Sequence, residues 1–394
     1  MRYEIITELY EWLTYREVIT ELLFSSSNVR PSFTVTWLTS WWKAFGDGHA
    51  LRIGLFWEGN RLVGYAPLML TECRLLNIHY RKLHFVGDVS LDLSDYADLF
   101  SHCDDPTIKS QIISIILNEW EWDHLSLVNI SESSNTMECF RNFQKPGRYL
   151  SIRPKVRCPY IDLRERGYDQ YFQTLSIHHR RELRRRQKKV SAIAPLSMEI
   201  NAELPPVDLF EKFKSLHTQR ARVKGWTSMY DHPRFRDFFC YLLENRQQDL
   251  NVVYSTLHSG GVLLAYQLGF VSGRIYQSWN TGYRPEYASF SPVKLLTRFT
   301  IEQCFRKGYD EFDYSRSDSK HKLLWTQTCR QNFDIWVLKK GGSRSLISWI
   351  KWMRVRDPGS RTERFVKRAK VFFVFFGLLS QERQATCRDE MKSE

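Results

Sequence analysis

The chain has 394 residues, 43% of them hydrophobic and 14% aromatic, which allows two packed domains and excludes wholesale disorder. Its net charge of +13 favours an anionic partner: nucleic acid, a membrane surface or a phosphate-bearing small molecule. The eight cysteines form no Cys-x-x-Cys pair, so we expect buried thiols without disulfides and no zinc or other metal site. The first residues are too polar for a secretion signal and no run of 18 or more apolar residues occurs, so we expect a cytoplasmic protein.

The N-terminal half alternates helical and strand patterns. Apolar residues at helical spacing predict an amphipathic helix over residues 3–24 and a second helix over residues 34–45. Two apolar runs flank Glu58-Gly59-Asn60 and predict a β-hairpin. A strand, a helix and a strand are then predicted at 83–86, 107–120 and 124–130.

The C-terminal half repeats this order. Two predicted helices precede a second hairpin, whose turn is Ser259-Gly260-Gly261. A strand over 274–281, a helix over 292–306 and a short strand over 311–314 follow. Between the halves, "RYLSIRPKVRCPYIDL" predicts a strand that crosses from one to the other. We therefore predict two related α/β domains, residues 1–155 and 156–342, and a basic C-terminal extension, residues 343–394.

Several common catalytic motifs are absent, which excludes P-loop nucleotide hydrolysis, dinucleotide redox chemistry, zinc peptidases and α/β-hydrolases. Instead, Ser291-Pro292 stands between a predicted strand and a predicted helix. Serine suits a helix cap and proline suits the first turn, so the free amides there are able to hold a phosphate. The alternative to a phosphate site is that Ser291-Pro292 begins an ordinary capped helix.

The run "SWNTGYRPEYASFSPVKLLTRFTIEQCFRKGYDEFDYSRSDSKHKLLWTQ" resembles the acetyltransferases of the CelD/BcsL type, tandem GNAT-fold proteins associated with cellulose and other exopolysaccharide biosynthesis. The sequence departs from that family at Val293, where glycine is usual. The segments "DVSLDLSDYADLF" and "HRRELRRRQKK" are also similar to the family. The matching positions in the quoted run are Ser291-Pro292, Gly308, Phe312-Asp313, Lys322 and Trp325.

The resemblance implies tandem GNAT-like domains of the α/β (α+β) class, with mixed central sheets flanked by helices. It also implies an N- or O-acyltransferase that uses acyl-coenzyme A, above all acetyl-coenzyme A, and a sugar or polysaccharide precursor. On this basis the pantetheine arm lies along Tyr276, Ser278 and Trp279, and the pyrophosphate meets the helix start at Ser291, Pro292, Val293 and Lys294.

Acyl transfer needs a general base for the acceptor proton, and Asp313 is the first candidate. His178 is a further catalytic candidate, with His179 and His321 as competitors. A pairing of Asp313 with Arg316 or Lys322 is the alternative for that carboxylate. Lys322 is itself a catalytic candidate, and it either binds phosphate or pairs with Asp313. For the acceptor, the candidates are His179, Arg181, Arg185, Tyr283 and Trp325, the last of which also suits a core position.

The stretch "SIHHRRELRRRQKK" predicts a basic helix with one narrow apolar seam. A solvated face, a nucleic-acid patch and the rim of a cleft for an anionic acceptor are the three interpretations. The lack of interleaved aromatic residues disfavours nucleic acid. In the C-terminal extension, basic residues before a Phe-rich run suit an interfacial membrane helix, although the run also suits packing against the domain or a dimer contact.

Two alternatives to an acyl-coenzyme A enzyme stay open. A FemAB-like peptidyltransferase shares the fold and uses aminoacyl-tRNA, which the positive charge would suit, although no long coiled-coil arm is present. A non-catalytic accessory subunit is the other, because Val293 replaces the family's glycine.

Overall fold

The structure is a computed structural model and describes residues 1–26, 29–75, 78–88, 93–143, 147–200, 206–245 and 249–339. Its helices are α1 (Leu9–Thr14), α2 (Arg16–Phe24), α3 (Val35–Phe45), α4 (Pro106–Glu119), α5 (Asn135–Arg141), α6 (Tyr168–Thr174), α7 (Ile177–Ser191), α8 (Pro206–Lys224), α9 (Phe235–Glu244) and α10 (Pro292–Arg306). Its strands are β1 (Arg2–Ile6), β2 (Ala50–Glu58), β3 (Arg61–Leu75), β4 (Ile78–Phe85), β5 (Phe100–Ser101), β6 (His124–Ser131), β7 (Arg148–Asp162), β8 (Leu196–Ile200), β9 (Asn251–Ser259), β10 (Val262–Ser272), β11 (Ile275–Tyr283), β12 (Glu311–Asp313) and β13 (Cys329–Lys339).

One mixed sheet runs through both halves in the order β1-β2-β3-β4-β6-β13-β7-β12-β11-β10-β9-β8, with β5 paired to β3. Strand β7 joins the halves, because its residues 148–159 pair with β13 and its last residues, 160–162, pair with β12. The predicted α/β class and the predicted crossing strand are both confirmed.

The two halves repeat one arrangement. In each, a two-residue loop joins an antiparallel hairpin: Glu58 faces Arg61 in β2–β3, and Ser259 faces Val262 in β9–β10. In each, a third strand is then connected through a helix to a parallel neighbour, β4 to β6 through α4 and β11 to β12 through α10. Parallel strands need such a crossover, so the hairpin–helix order seen in the sequence leads directly to this topology.

Two local expectations differ from the structure. Residues 2–6 form β1, which pairs with β2, and the helical pattern after it is split into α1 and α2 at Tyr15. The division at residue 155 does not separate two sheets, because β13 returns to lie between β6 and β7 of the N-terminal half. Residues 343–394, where the C-terminal extension was predicted, lie outside the described residues.

An aromatic core joins the halves behind the sheet. Helix α3 packs on α9, and the Trp37 ring contacts Phe238, Phe270 and Trp279 at centroid distances of 5.2, 5.1 and 5.8 Å. Trp37 is 1% exposed, so this contact fixes the N-terminal half against β10 and β11. Among the cysteines, Cys158 and Cys304 are buried as expected, whereas Cys103 is exposed.

Candidate functional site

A cleft opens where β11 and β12 diverge. The two strands pair in parallel only from Ile275–Glu311 to Gln277–Asp313; β12 then ends, whereas β11 continues beside β10 to Tyr283. The resulting cleft has a volume of about 110 Å³. It is lined by Ser278, Trp279, Asn280, Thr281, Val293, Lys294, Thr297, Tyr314, His321, Lys322 and Trp325.

The first turn of α10 forms one wall of the cleft and differs from its counterpart α4. The cap residue of α4, Asp105, accepts hydrogen bonds from the amides of Thr107 and Ile108 at 2.7 and 3.2 Å. The cap residue of α10, Ser291, makes no such side-chain bond and is held in the left-handed conformation with φ of 51°. At the N-terminus of α4, the Asp105 carboxylate therefore already occupies the place of an anion. At the N-terminus of α10 no side chain does so, and an external anion can bind there.

Cationic groups converge on this cleft. Lys294 extends from the first turn of α10 and lies 3.6 Å from Glu182, and His321 also lines the cleft. The Lys322 ammonium donates to the carbonyls of Tyr314 and Arg316 at 2.6 and 2.5 Å and so holds the loop that forms the opposite wall. Burial lowers the pKa of Lys322. Of the described residues that line the cleft, none is an aspartate or a glutamate.

The walls of the cleft contain strained backbone. Ser291, Ser315 and Ser317 have φ values of 51°, 61° and 79°, in the region that L-residues other than glycine seldom occupy. The Ser315 amide donates to Asp313 and its hydroxyl donates to the Ser278 carbonyl at 2.8 Å, so specific contacts hold the turn. Strain of this kind is common at functional sites, where surrounding contacts fix the geometry.

Asp313, the predicted general base, does not line the cleft. It is 0% exposed and accepts hydrogen bonds from the Tyr96 hydroxyl and the Ser315 amide, both at 2.6 Å. Guanidinium nitrogens of Arg30 and Arg330 lie 3.3 and 3.6 Å from its carboxylate. Alternation along β12 explains this placement, because Phe312 packs against Tyr276 while residues 311 and 313 point to the opposite face.

Glu311 completes a buried four-charge cluster with Asp313, Arg30 and Arg330. Its carboxylate pairs with both guanidiniums. Burial alone would raise its pKa, but Arg30 and Arg330 together lower it. The alternative pairing predicted for Asp313 is also absent from the described residues, since Arg316 pairs with Asp95 and Lys322 binds backbone carbonyls. The cluster joins the two halves of the molecule, since Arg30 lies near the N-terminus and the other three members lie beyond residue 310.

The predicted donor-binding residues are brought together with one exception. Ser278, Trp279, Val293 and Lys294 line the cleft, and Ser291 and Pro292 begin α10 at its edge. Tyr276 is 0% exposed and packs on Phe312 at 4.9 Å, inside the core.

The predicted acceptor residues are dispersed. Trp325 lines the cleft, and behind it His179 is 1% exposed with its ring 4.7 Å from the indole and no hydrogen-bond partner among the described residues. Tyr283 is half-buried beneath the guanidinium of Arg220, 5.4 Å from the ring centroid.

The remaining candidates, His178, Arg181 and Arg185, are exposed on α7 and do not line the cleft. No group of three or more His, Cys, Asp or Glu side chains in the described part of the chain is arranged to hold a metal ion.

Sequence reasoning missed Arg30 and Tyr96, which bind a carboxylate more than 200 positions away along the chain. No local pattern marks such partners. Asn280, Thr281 and Thr297 were also missed as lining residues, although their positions on the predicted strand and helix place them beside residues that were identified.

Comparison with known protein families finds a match within the C-terminal half. Residues 178–323 match the family described as an acetyltransferase (GNAT) domain. The match supports an acyltransferase. It includes α10, residues 178–191 of α7 and all residues that line the cleft except Trp325. No curated protein sequence matches the chain significantly.

Solved structures share the fold over both halves at low sequence identity. FemX is similar with a TM-score of 0.58 and 10% identity, over 85% of this chain and 97% of that one. L-PGS from Bacillus licheniformis has a TM-score of 0.51 and 11% identity, over 84% and 94% of the two chains. The C-terminal domain of a putative lysylphosphatidylglycerol synthetase from Agrobacterium fabrum has a TM-score of 0.50 and 10% identity, over 90% and 99%. These likenesses concern the fold alone.

Proposed function

We propose that the cleft between β11 and β12 binds acyl-coenzyme A, with acetyl-coenzyme A as the donor, and transfers the acyl group to a sugar or polysaccharide precursor. The observation that carries this proposal is the divergence of the two strands directly at the open N-terminus of α10. Coenzyme A is a polyanion with a long uncharged arm, and the cleft offers both the edge of β11 and the start of a helix without a side-chain cap. The choice of acceptor rests on the resemblance to the CelD/BcsL type.

The residues of the cleft divide into donor-binding and wall residues. Lys294 and the first turn of α10 would bind the pyrophosphate, and Ser278 and Thr281 on β11 would contact the pantetheine arm. Lys322 would keep the 314–322 loop in place through its two carbonyl contacts. Trp325 would close the cleft opposite β11.

His321 replaces Asp313 and His178 as the proposed general base. It lines the cleft, and burial, followed by the charges of Lys322, Arg220 and Lys294, lowers the pKa of its imidazole, which keeps the ring neutral near pH 7. The acceptor oxygen or nitrogen attacks the thioester carbonyl while His321 takes its proton. The carbon–sulfur bond then breaks, and the proton returns to the coenzyme A thiolate, so the products are the acylated acceptor and free coenzyme A.

Calorimetric titration with acetyl-coenzyme A tests the donor. Lys294→Glu reverses the charge at the cleft and should weaken binding by at least roughly tenfold. Lys307→Glu is the matched control, because Lys307 is exposed at the opposite end of α10. Equal effects of the two substitutions, or no binding to the unaltered protein, would overturn the proposal.

An aminoacyl-tRNA donor is the second candidate, because the net charge of +13 suits RNA and the FemX fold is similar over most of both chains. A parallel titration with tRNA separates the two. Tight tRNA binding without coenzyme A binding would favour the aminoacyl donor, and binding of neither ligand would favour an accessory subunit.

A further inference from the structure

The outer face of α7 is a dense cationic surface with no internal counter-charge. Leu183 and Val190 are 0% exposed and His179 1% exposed, so they fix the inner face of this helix. The opposite face presents five exposed cations that form no ion pair among the described residues: Arg181, Arg184, Arg185, Lys188 and Lys189. The single acidic residue of the helix, Glu182, turns away from this face and bonds Arg186 at 2.7 Å.

Apolar side chains stand exposed at both ends of this cationic face. Ile177, the first residue of α7, is 59% exposed, and Ile193, just beyond its last turn, is 57% exposed. Leu324 is 37% exposed and precedes Trp325, whose ring lies against His179, so Leu324 and Ile177 flank the same contact. Exposed branched aliphatic residues offer nothing for base stacking, whereas they fit the acyl boundary of a bilayer.

The cationic face adjoins the cleft. Glu182 of α7 lies 3.6 Å from Lys294, which lines the cleft, and Arg186 bonds the carbonyl of Ser289 just before α10. Leu324 belongs to the same short segment as His321. Helix α7 therefore packs beside the cleft through Glu182 and Arg186, while its five exposed cations point to solvent.

We propose that the outer face of α7, together with Ile177, Ile193 and Leu324, docks on an anionic phospholipid surface, which brings the neighbouring cleft close to the membrane. Phosphate groups of the lipids would pair with the five cations, and the aliphatic side chains would enter the boundary between headgroups and acyl chains. The docking is independent of the reaction. The consequence that the acceptor is a saccharide held at the membrane by a lipid rests on the proposed function.

Vesicle cosedimentation of the full chain tests the docking. Binding should be strong to vesicles of phosphatidylcholine mixed with phosphatidylglycerol and weak to phosphatidylcholine alone. The variant Arg184→Glu/Lys188→Glu should lower partition by at least roughly 30-fold, because each basic residue near an anionic surface contributes about fivefold. The matched control Lys43→Glu/Arg236→Glu places the same charge change on α3 and α9 and should bind as the unaltered protein does.

A charge-neutral variant separates lipid from nucleic acid. Ile177→Ala/Leu324→Ala should lower partition into the anionic vesicles severalfold and leave tRNA binding unchanged, with Val18→Ala on α2 as its control. Vesicle binding that survives the α7 charge reversal overturns the proposal. The proposal is also overturned if the α7 charge reversal abolishes tRNA binding and leaves vesicle binding unchanged. These binding measurements need no coenzyme A. A failure of the docking proposal can therefore be told apart from a failure of the acyl-transfer proposal.

Discussion

The buried cluster between the halves gives the most discriminating prediction. Two carboxylates, Asp313 and Glu311, face two guanidiniums, Arg30 and Arg330, and no member is more than 14% exposed in its side chain. The substitution Asp313→Asn keeps the shape of the side chain but removes one negative charge. Three charged groups then remain, and the cluster holds one uncompensated positive charge away from water.

The expected cost follows from this charge count. Breaking a buried ion pair by removing one partner destabilises a protein by about 3–5 kcal/mol, because the remaining charge is desolvated without compensation. Adding Arg30→Met to Asp313→Asn removes the excess positive charge, so that Glu311 and Arg330 remain as one oppositely charged pair. The double variant should therefore recover about 1–3 kcal/mol relative to the sum of the two single substitutions.

Urea unfolding followed by circular dichroism measures these free energies for the four proteins of the cycle. Acetyl-coenzyme A titration of folded Asp313→Asn adds a second readout and should show nearly unaltered affinity, since Asp313 lies outside the cleft. A variant with unchanged unfolding free energy and abolished acyl transfer would refute the reasoning and return Asp313 to the role of general base.

Three further predictions concern single sites. Ser291→Gly should raise the free energy of unfolding by about 1 kcal/mol and Ser291→Val should lower it, because φ of 51° at this position favours glycine; urea titration measures both. The pKa of His321 lies below its ordinary 6.5, through burial and then through nearby cations, so the transfer rate should fall only as pH drops through that lowered value, and His321→Gln should lose this acidic limb of the pH–rate profile. Burial lowers the pKa of His49 to about 4. As the pH falls, the unfolded chain binds a proton at His49 at a higher pH than the folded protein does. The free energy of unfolding should therefore fall by about 1–2 kcal/mol between about pH 7 and about pH 5, and it should fall less in His49→Gln.

The local elements were largely predictable from the sequence. Predicted and observed bounds agree at 292–306 for α10, and both hairpin turns lie at the predicted glycines, because helix caps and tight turns depend on short-range chemistry. The narrow apolar seam predicted for this basic helix is also confirmed, because His179, Leu183 and Val190 are buried along one side of α7. Residues 3–6 were assigned to a helix, because the pairing of β1 with β2, more than 40 positions away, leaves no local pattern.

The sequence predicted part of the lining of the cleft but not the surroundings of Asp313. Ser278, Trp279 and Lys294 belong to a strand and a helix start that meet, which the sequence order already indicates. The partner of Asp313, Arg30, lies in the other half of the chain and gives no signal near residue 313. A buried ion pair and a general base use the same side chain, and only the three-dimensional placement separates them.

Amide hydrogen exchange with and without a desulfo analogue of coenzyme A tests the central claim most directly, because it locates the donor along the chain. We expect slower exchange in residues 278–281 of β11 and in the first turns of α10, with α4 of the N-terminal half unaffected. Protection confined to the N-terminal half, or none in β11 and α10 at saturating analogue, would contradict the assignment of the cleft as the donor site.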